Sequence, residues 1–211
     1  MQTKLMSLSP HDPDAVPEVN DTRSCPVFQT LDRNAQYPYT KREYVRRILW
    51  EITRRTVFNL GLTRGFGWRR CVLRCFGAKL GRGTLIRQGA RIWYPWLLEM
   101  GDWSTLGDGV VIYNLGLVSI GSHSVLSQGV YVCAGTHDAT SPLLPLLRPQ
   151  IRIGSGVWIA AQAFIGPGVT IGDNSVIGAR AVVVKAIPPG MVAAGNPARV
   201  IKPRTMNQPS S

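Results

Sequence analysis

Aliphatic residues recur every six positions through the second half of the chain. One unbroken run consists of Ile153, Ile159, Ile165, Ile171, Ile177 and Val183. Glycine directly follows the first, third, fourth and fifth of these residues, and the residue four places after each aliphatic is mostly small. A period of six matches neither the 3.6-residue turn of an α-helix nor the two-residue alternation of a strand. It is typical of a solenoid in which a short strand and a turn repeat in register.

The same register begins much earlier. Its earlier members are Leu80, Ile86, Ile92, Met100, Leu106, Ile112, Ile120, Leu126 and Val132. Between these blocks the step lengthens to eight residues twice, and a long excursion separates Val132 from Ile153. At three hexads per coil, the fifteen repeats predict about five coils of a left-handed parallel β-helix, which is a mainly β fold. Each aliphatic is expected to point inward, and the corners that need positive φ are expected to carry Gly or Asn.

The segment before the repeats has a different pattern. An aliphatic row at helical spacing, with arginines on the other faces, predicts an N-terminal helical segment. The row consists of Val45, Ile48, Leu49 and Ile52. The chain is therefore divided into an extended or disordered arm (1–38), a basic helical segment (39–78), the β-helix (79–204) and a flexible tail (205–211).

Positive charge is concentrated in the helical segment. The chain has 24 Lys and Arg against 12 Asp and Glu, and residues 41–77 hold ten basic and two acidic residues, a net +8 of the total +12. One interpretation of this segment is a helical cap on the next domain. The other is a basic, aromatic surface that rests on an anionic membrane; the cap is preferred, and the two are compatible. Nucleic-acid binding is suggested by charge alone and has no supporting motif.

The four cysteines form no C-x-x-C pair, and neither a secretory signal nor an apolar run long enough to span a bilayer is visible. We therefore expect a cytoplasmic protein with reduced thiols, for which peripheral membrane contact stays open.

Candidate chemistry lies where the repeats pause after Val132. The sequence there is Gly135-Thr136-His137-Asp138, followed by a loop rich in Pro and Leu. A loop that leaves a regular coil often serves function, and its root holds a histidine, which can act as a general base. A solvated turn histidine is the structural alternative. A zinc site is not expected, because only His123 and His137 lie within the coils and three converging ligands are needed.

Several motifs resemble the hexapeptide-repeat O-acetyltransferases, and most closely those of colanic-acid and other exopolysaccharide biosynthesis; galactoside and maltose acetyltransferases are related. The motifs are the Ile-Gly repeats, Gly135-Thr136-His137-Asp138, Val157-Trp158-Ile159 and the stretch Ala193-Ala194-Gly195-Asn196-Pro197-Ala198-Arg199-Val200-Ile201. The resemblance covers about residues 66–204.

The resemblance implies a homotrimer with active sites between neighbouring β-helices and acetyl-CoA as the donor. His137 aligns with the catalytic base of the family. The acceptor-binding residues that the resemblance implies are Asn114 and Trp158. Asp138 is added to them, and it can also orient the imidazole. The donor-binding residues that it implies are Ala161, Ala179, Val184, Lys185, Arg199 and Lys202. Val184 departs from the threonine of the family, and Lys202 replaces an arginine.

The basic residues near the C-terminus agree with a phosphate-bearing donor on physical grounds. Arg180, Lys185, Arg199, Lys202 and Arg204 lie close together in sequence, whereas the middle coils hold little charge. The nucleotide end of CoA carries phosphates that such cations bind. For any single member, an ordinary solubilising charge is the alternative.

The sequence thus predicts an acetyl-CoA-dependent O-acetyltransferase that acts on a sugar or glycan hydroxyl by direct transfer, without a metal. The alternatives are a transferase of the same fold that acts on an antibiotic, amino acid or other small molecule, and a non-catalytic β-helix scaffold.

Overall fold

The structure is a computed structural model that describes residues 40–58 and 66–206. Two helices precede the repeats, α1 (Lys41–Arg55) and α2 (Phe66–Cys75). The first begins at a capping box, in which the Thr40 hydroxyl accepts from the Glu43 N–H and the Glu43 carboxylate accepts from the Thr40 N–H. The predicted helical segment is therefore helical in its described parts. The predicted arm, 1–38, lies outside the described residues.

The chain then forms a three-sided β-helix, which we call the prism. Its sides are three sheets, labelled A, B and C, whose strands are parallel except for the last strand of sheet B. Sheet A contains β1 (Lys79–Leu80), β4 (Leu98–Met100), β7 (Val118–Ile120), β12 (Ile151–Ile153) and β15 (Thr170–Ile171). Sheet B contains β2 (Leu85–Ile86), β5 (Thr105–Leu106), β8 (Val125–Leu126), β13 (Trp158–Ile159), β16 (Val176–Ile177), β18 (Met191–Gly195) and β19 (Ala198–Pro203). Sheet C contains β3 (Arg91–Ile92), β6 (Val111–Tyr113), β9 (Tyr131–Cys133), β14 (Phe164–Ile165) and β17 (Val182–Val183). A two-stranded hairpin, β10 (Thr136–His137) and β11 (Leu146–Leu147), stands apart.

The six-residue register predicts the strand pairing correctly. In sheet B, for example, Ile86, Leu106, Leu126, Ile159 and Ile177 pair in sequence along the stack. All five are inaccessible to solvent, because each side chain points into the prism and rests on its counterpart one coil away. The predicted left-handed parallel β-helix is confirmed.

The corners depart in part from the expected use of Gly and Asn. Between sheets A and B, Trp103 and His123 take positive φ, and between sheets B and C, Gln162 and Arg180 do so. These corners repeat the same hydrogen bond from coil to coil, such as Arg180 N–H to Ala161 O at 2.9 Å. The stacked backbone therefore imposes the left-handed conformation on residues that rarely adopt it.

Helix α1 packs on the β-helix through a face other than its aliphatic row. Trp50 is buried, donates from Nε1 to Ile92 O at 2.9 Å, and contacts the rings of Phe58 and Phe76. Arg46 donates to Phe76 O at 2.7 Å. The aliphatic row, by contrast, is exposed along its whole length. Within α1, the interpretation as a cap therefore applies to the Trp50 face. Helix α2 also packs on the β-helix, with Val72 and Leu73 buried in the core.

A C-terminal hairpin that the hexad pattern does not predict closes the described chain. β18 pairs parallel with β16 and antiparallel with β19, so the last strand runs back across sheet B. The Arg204 guanidinium then donates to the carbonyl oxygens of Gly156 and Asn174 at 2.8 and 3.2 Å. The boundaries 79–204 and 205–211 stay predictions, and the structure describes the latter segment only as far as Met206.

Candidate active site

The chain leaves the coil at the corner between sheets C and A, directly after β9. Ala134 is buried and donates its N–H to Tyr113 O at 2.9 Å. Gly135 follows, and a Cβ on it would lie 2.8 Å from Leu115 Cδ1. Only a glycine fits at this position without a shift of the Leu115 side chain.

The loop is held by the short antiparallel hairpin of β10 and β11. Thr136 pairs with Leu147 and His137 with Leu146. The next rung is a hydrogen bond from the Asp138 N–H to Pro145 O at 3.0 Å. His137 therefore lies at the start of the loop, on a backbone that is held by hydrogen bonds across the hairpin.

One ring nitrogen of His137 is engaged within the loop. Its Nδ1 lies 2.6 Å from Leu144 O, and the side chain is exposed. A carbonyl oxygen only accepts hydrogen bonds, so Nδ1 donates the proton, and in the neutral tautomer that this contact selects the lone pair lies on Nε2. Leu144 is held in turn by a hydrogen bond from its N–H to Ser141 O at 3.0 Å. This arrangement leaves Nε2 outside the hydrogen bond to the loop.

Asp138 turns away from this imidazole. Its Oδ1 accepts from the Thr140 N–H at 2.9 Å and from the Thr140 hydroxyl at 2.6 Å. These two bonds, the hydroxyl bond first, hold the pKa of Asp138 below its ordinary value, so it is ionised at neutral pH. The partner of the imidazole in this chain is thus a backbone carbonyl, and Asp138 closes a turn next to it.

Asn114 is buried at the corner one coil before the loop. Its Oδ1 accepts from the Tyr94 N–H at 3.0 Å, and its Nδ2 donates to Tyr94 O at 2.6 Å. The side-chain amide of Asn114 thus pairs with the backbone of Tyr94, on the preceding coil, as the backbone of a neighbouring strand would. Asn114 is completely buried. Within the chain, its contacts are therefore structural.

Trp158 lies on the outer face of sheet B. Its ring is about half exposed, and Nε1 donates to the Ser127 hydroxyl at 3.0 Å. In a three-sided prism, sheet B lies opposite the corner between sheets C and A, from which the His137 loop departs. One chain alone therefore does not bring Trp158 and His137 together.

The corner between sheets B and C holds Ala161, Ala179 and Arg180 on adjacent coils. Arg180 Nε donates to Gln162 Oε1 at 2.8 Å, which lays the guanidinium along the corner. Among the described residues, none accepts a hydrogen bond from the N–H of Ala161 or of Ala179. With methyl side chains beside them, these two amides are open to an extended ligand.

The structure distributes the remaining predicted cations around the end of the prism. Arg199 pairs with Ala194 in the hairpin, at the end toward the corner between sheets B and C. Lys202 pairs with Val192 at the opposite end of the hairpin, near Arg204. Lys185 follows the exposed Val184 at the corner between sheets C and A. The fold thus places Arg180 and Arg199 toward the same corner and separates both from the other cations, although Lys202 is much nearer to Arg199 in sequence.

Sequence reasoning missed Leu144, Ser127 and Gln162, which hold His137, Trp158 and Arg180 in place. Leu144 contacts His137 through its backbone carbonyl, which every residue type has, so the sequence contains no signal for this contact. In the described ranges, no group of three or more His, Cys, Asp or Glu side chains could hold a metal ion. Neither described helix is long and apolar enough to cross a membrane.

The repeats match a known class of proteins. The family described as bacterial transferase hexapeptide (six repeats) matches residues 150–185, which run from the end of the loop through the last complete coil. This match covers the coils that follow the loop.

Curated relatives narrow the class. WcaF of Escherichia coli (strain K12), which bears the name of a colanic acid biosynthesis acetyltransferase, is 44% identical over 156 residues, 74% of this chain and 86% of WcaF. The galactoside O-acetyltransferase of the same strain is 43% identical over 98 residues, 46% of this chain and 43% of that enzyme.

Solved structures agree in fold. A maltose O-acetyltransferase from Clostridium difficile 630 has a TM-score of 0.73 at 30% identity and covers 81% of this chain and 92% of its own. A galactoside acetyltransferase in complex with coenzyme A has a TM-score of 0.74 at 28% identity, over 80% and 86% of the two chains. The chain belongs to the hexapeptide-repeat acetyltransferase family that includes WcaF. The resemblance inferred from the motifs is thereby confirmed, and the protein is an acyltransferase.

Proposed function

We propose that the protein transfers the acetyl group of acetyl-CoA to a hydroxyl of a sugar or glycan in exopolysaccharide or glycoconjugate biosynthesis, with His137 as general base. The observation that carries this proposal is the hydrogen bond between His137 Nδ1 and Leu144 O at 2.6 Å. It leaves Nε2 as a proton acceptor on an exposed ring. The names of the relatives, which concern colanic acid, galactosides and maltose, support a carbohydrate acceptor.

The reaction needs no covalent enzyme intermediate. Nε2 of His137 takes the proton from the acceptor hydroxyl while that oxygen attacks the thioester carbonyl. The tetrahedral intermediate collapses, the carbon–sulfur bond breaks, and the imidazolium returns its proton to the departing CoA thiolate. The products are the acetyl ester and CoA. Because Leu144 O accepts from the Nδ1 proton, it also stabilises the imidazolium that forms midway.

The donor is proposed to lie along the corner between sheets B and C. The open N–H groups of Ala161 and Ala179 suit the amide-bearing pantetheine arm, and Arg180 and Arg199 suit the phosphates of the nucleotide. Lys202, Lys185 and Val184 are proposed to contact the donor as well, although they occupy other corners of the same chain. The described residues thus fit an acyl-CoA as the substrate that supplies the acetyl group.

We propose that the site forms between subunits of a homotrimer. The support is the separation of the parts within one chain, because His137 leaves the corner opposite sheet B whereas Trp158 lies on that sheet. A second copy that places its donor corner beside the loop of the first completes the set. The acceptor then lies between His137 and Trp158, near Asp138, and Asn114 supports the corner beneath it.

The test of the reaction is release of free thiol from acetyl-CoA with a panel of sugars, polyprenyl-linked glycans and amines, followed by mass spectrometry of the products. An acetyl ester on a carbohydrate supports the proposal. Acetylation confined to amines or to non-carbohydrate acceptors contradicts it.

Subunit sharing has its own test. Trimers that combine the His137→Ala chain with the Arg199→Ala chain contain interfaces at which both residues are native. The assay uses acetyl-CoA well below KM, where the Arg199→Ala trimer is about tenfold less active than the native trimer. If two chains form each site, the hybrids are more active under this condition than either parent trimer. If each site lies within a single chain, the hybrids are no more active than the parents combined.

A further inference from the structure

The outer face of α1 is the largest aliphatic surface on a helix in the described residues. Val45, Ile48, Leu49 and Ile52 form it, which we call the aliphatic row, and each is between 54% and 58% exposed. A helix in water normally turns such a row toward a core. Here the row faces away from the β-helix, so it is available to something outside the described chain.

The orientation of the row is set by the opposite face of the helix. Trp50 is buried, with Nε1 bonded to Ile92 O. Arg46 donates to Phe76 O, and its guanidinium lies 4.3 Å from the centre of the Trp96 ring. Rotation of α1 to bury the row would break these contacts and expose Trp50. The outward orientation is therefore built into the packing of the helix.

Basic residues border the row on both sides. At the 3.6-residue turn of an α-helix, Arg42 projects about 20° beyond Leu49 on one side, and Arg55 projects about 20° beyond Ile48 on the other. Lys41 lies in line with the row at the first turn of the helix, and both Lys41 and Arg42 are exposed. The row thus has one cation at each edge and one at its N-terminal end, and basic residues beside an apolar face are typical of interfacial helices.

The acidic residues of α1 offset only part of its charge. Glu43 is engaged with Thr40 at the start of the helix. Glu51 is shared by Arg54 and Arg55, with closest distances of 2.7 and 2.6 Å. The helix sequence therefore keeps six basic residues against two acidic ones.

The charge decides between the candidate occupants of the row. A second copy of α1 packed on this face would bring another pair of basic borders against the first, in a chain that already carries +12. An anionic surface pairs with the same borders favourably while its apolar layer accepts the aliphatic side chains. We propose that α1 lies in the interface of a bilayer that contains anionic lipids, with the aliphatic row inserted and Arg42 and Arg55 at the headgroups.

This inference does not depend on the proposed function, because none of these residues belongs to the proposed active site. Its test is co-sedimentation of the full chain with vesicles of phosphatidylcholine alone and of phosphatidylcholine with phosphatidylglycerol. We expect binding to the phosphatidylglycerol vesicles that weakens with added salt. Retention in the supernatant with both kinds of vesicle would overturn the proposal.

Two pairs of variants separate the apolar and the charged contributions. Ile48→Gln with Leu49→Gln should lower the partition coefficient at least about tenfold. Its control, Ile201→Gln on β19, changes a side chain that is 63% exposed and should bind as the native chain does. Arg42→Gln with Arg55→Gln should lower the partition coefficient about fivefold for each charge removed. Its control is Arg82→Gln with Arg87→Gln, which removes the same charge from the β-helix.

Melting curves and oligomeric mass complete the test. The Ile48→Gln, Leu49→Gln variant should keep the native melting temperature, oligomeric mass and thiol release with a soluble acceptor. If it instead changed the oligomeric mass, the row would be a contact between copies and the proposal would be wrong. Equal loss of vesicle binding in the variants and their controls would likewise overturn it.

Discussion

The imidazole of His137 and the carbonyl of Leu144, seven residues apart, form a hydrogen bond of 2.6 Å across the loop. Leu144 is held by its own bond to Ser141 and has a φ of 43°, so the bend of the loop aims the carbonyl at the ring. The geometry selects the imidazole tautomer without a carboxylate. It also explains why Asp138, the sequence neighbour of the histidine, is bonded elsewhere.

Replacement of His137 by alanine should lower kcat by about 10²–10⁴-fold, because a positioned general base contributes about that much. The fold should be unaffected, since the side chain is exposed. His123→Asn is a matched control, because His123 is an exposed corner histidine with φ of 57°, a conformation that Asn tolerates. Steady-state kinetics and circular dichroism measure the two effects. Near-native turnover in a folded His137→Ala protein would exclude it as the base.

A methyl group on Gly135 should displace the loop. The added Cβ would meet Leu115 at 2.8 Å, so Gly135→Ala should lower kcat at least tenfold and destabilise the protein by about 1–3 kcal/mol. Adding Leu115→Ala opens the space, and kcat should recover in the double variant while stability does not. Kinetics and urea unfolding of both variants provide the check, and failure of kcat to recover would show that Leu115 does not set the loop position.

Arg199→Ala should raise KM for acetyl-CoA about tenfold and leave kcat nearly unchanged, because a bond to a phosphate far from the reacting carbon contributes equally to ground and transition states. The effect should disappear with a thioester that lacks the nucleotide, such as acetyl-pantetheine. Arg152→Ala, an exposed change on sheet A, is the control. A rise in the KM of the acceptor alone would mean that the donor phosphates lie elsewhere.

Ile159→Ala should destabilise the protein by about 2–5 kcal/mol, the range for a fully buried aliphatic side chain. The exposed Ile201→Ala, on the outer strand of the same sheet, should change stability by less than about 0.5 kcal/mol. Chemical denaturation measures both changes. Both variants are compared at one protein concentration, because the stability of an oligomer depends on concentration. Equal losses would mean that the coils do not depend on the stacked aliphatics.

The hexad pattern predicted the strand pairing residue by residue, from Leu80 paired with Met100 to Ile165 paired with Val183. It could do so because a shift of the strand by one residue would turn its buried side chains to the outer face of the sheet. Since only one face of each sheet lines the core, a single register buries the aliphatic residues. The motif around His137 was also visible, because a pause in a strict repeat marks a loop.

The aliphatic spacing of α1 predicted a helix but not which face would pack. Both the aliphatic row and the face of Trp50 are apolar enough to be buried, and only the docking of Trp50 against Phe58 and Phe76 selected one of them. The spacing of apolar residues does not show which face of a helix packs on the rest of the protein, so only the tertiary structure revealed that the aliphatic row is exposed.

The sequence by itself determined the coils, their register and the family, and it singled out His137 as the candidate base, because each of these inferences depends on residue type and on spacing along one chain. The tertiary structure decided the tautomer of His137, the burial of Asn114 and the separation of Trp158 from the loop. The physical reason is that hydrogen bonds to backbone atoms and distances across the prism depend on the path of the folded chain, and residue type does not record that path.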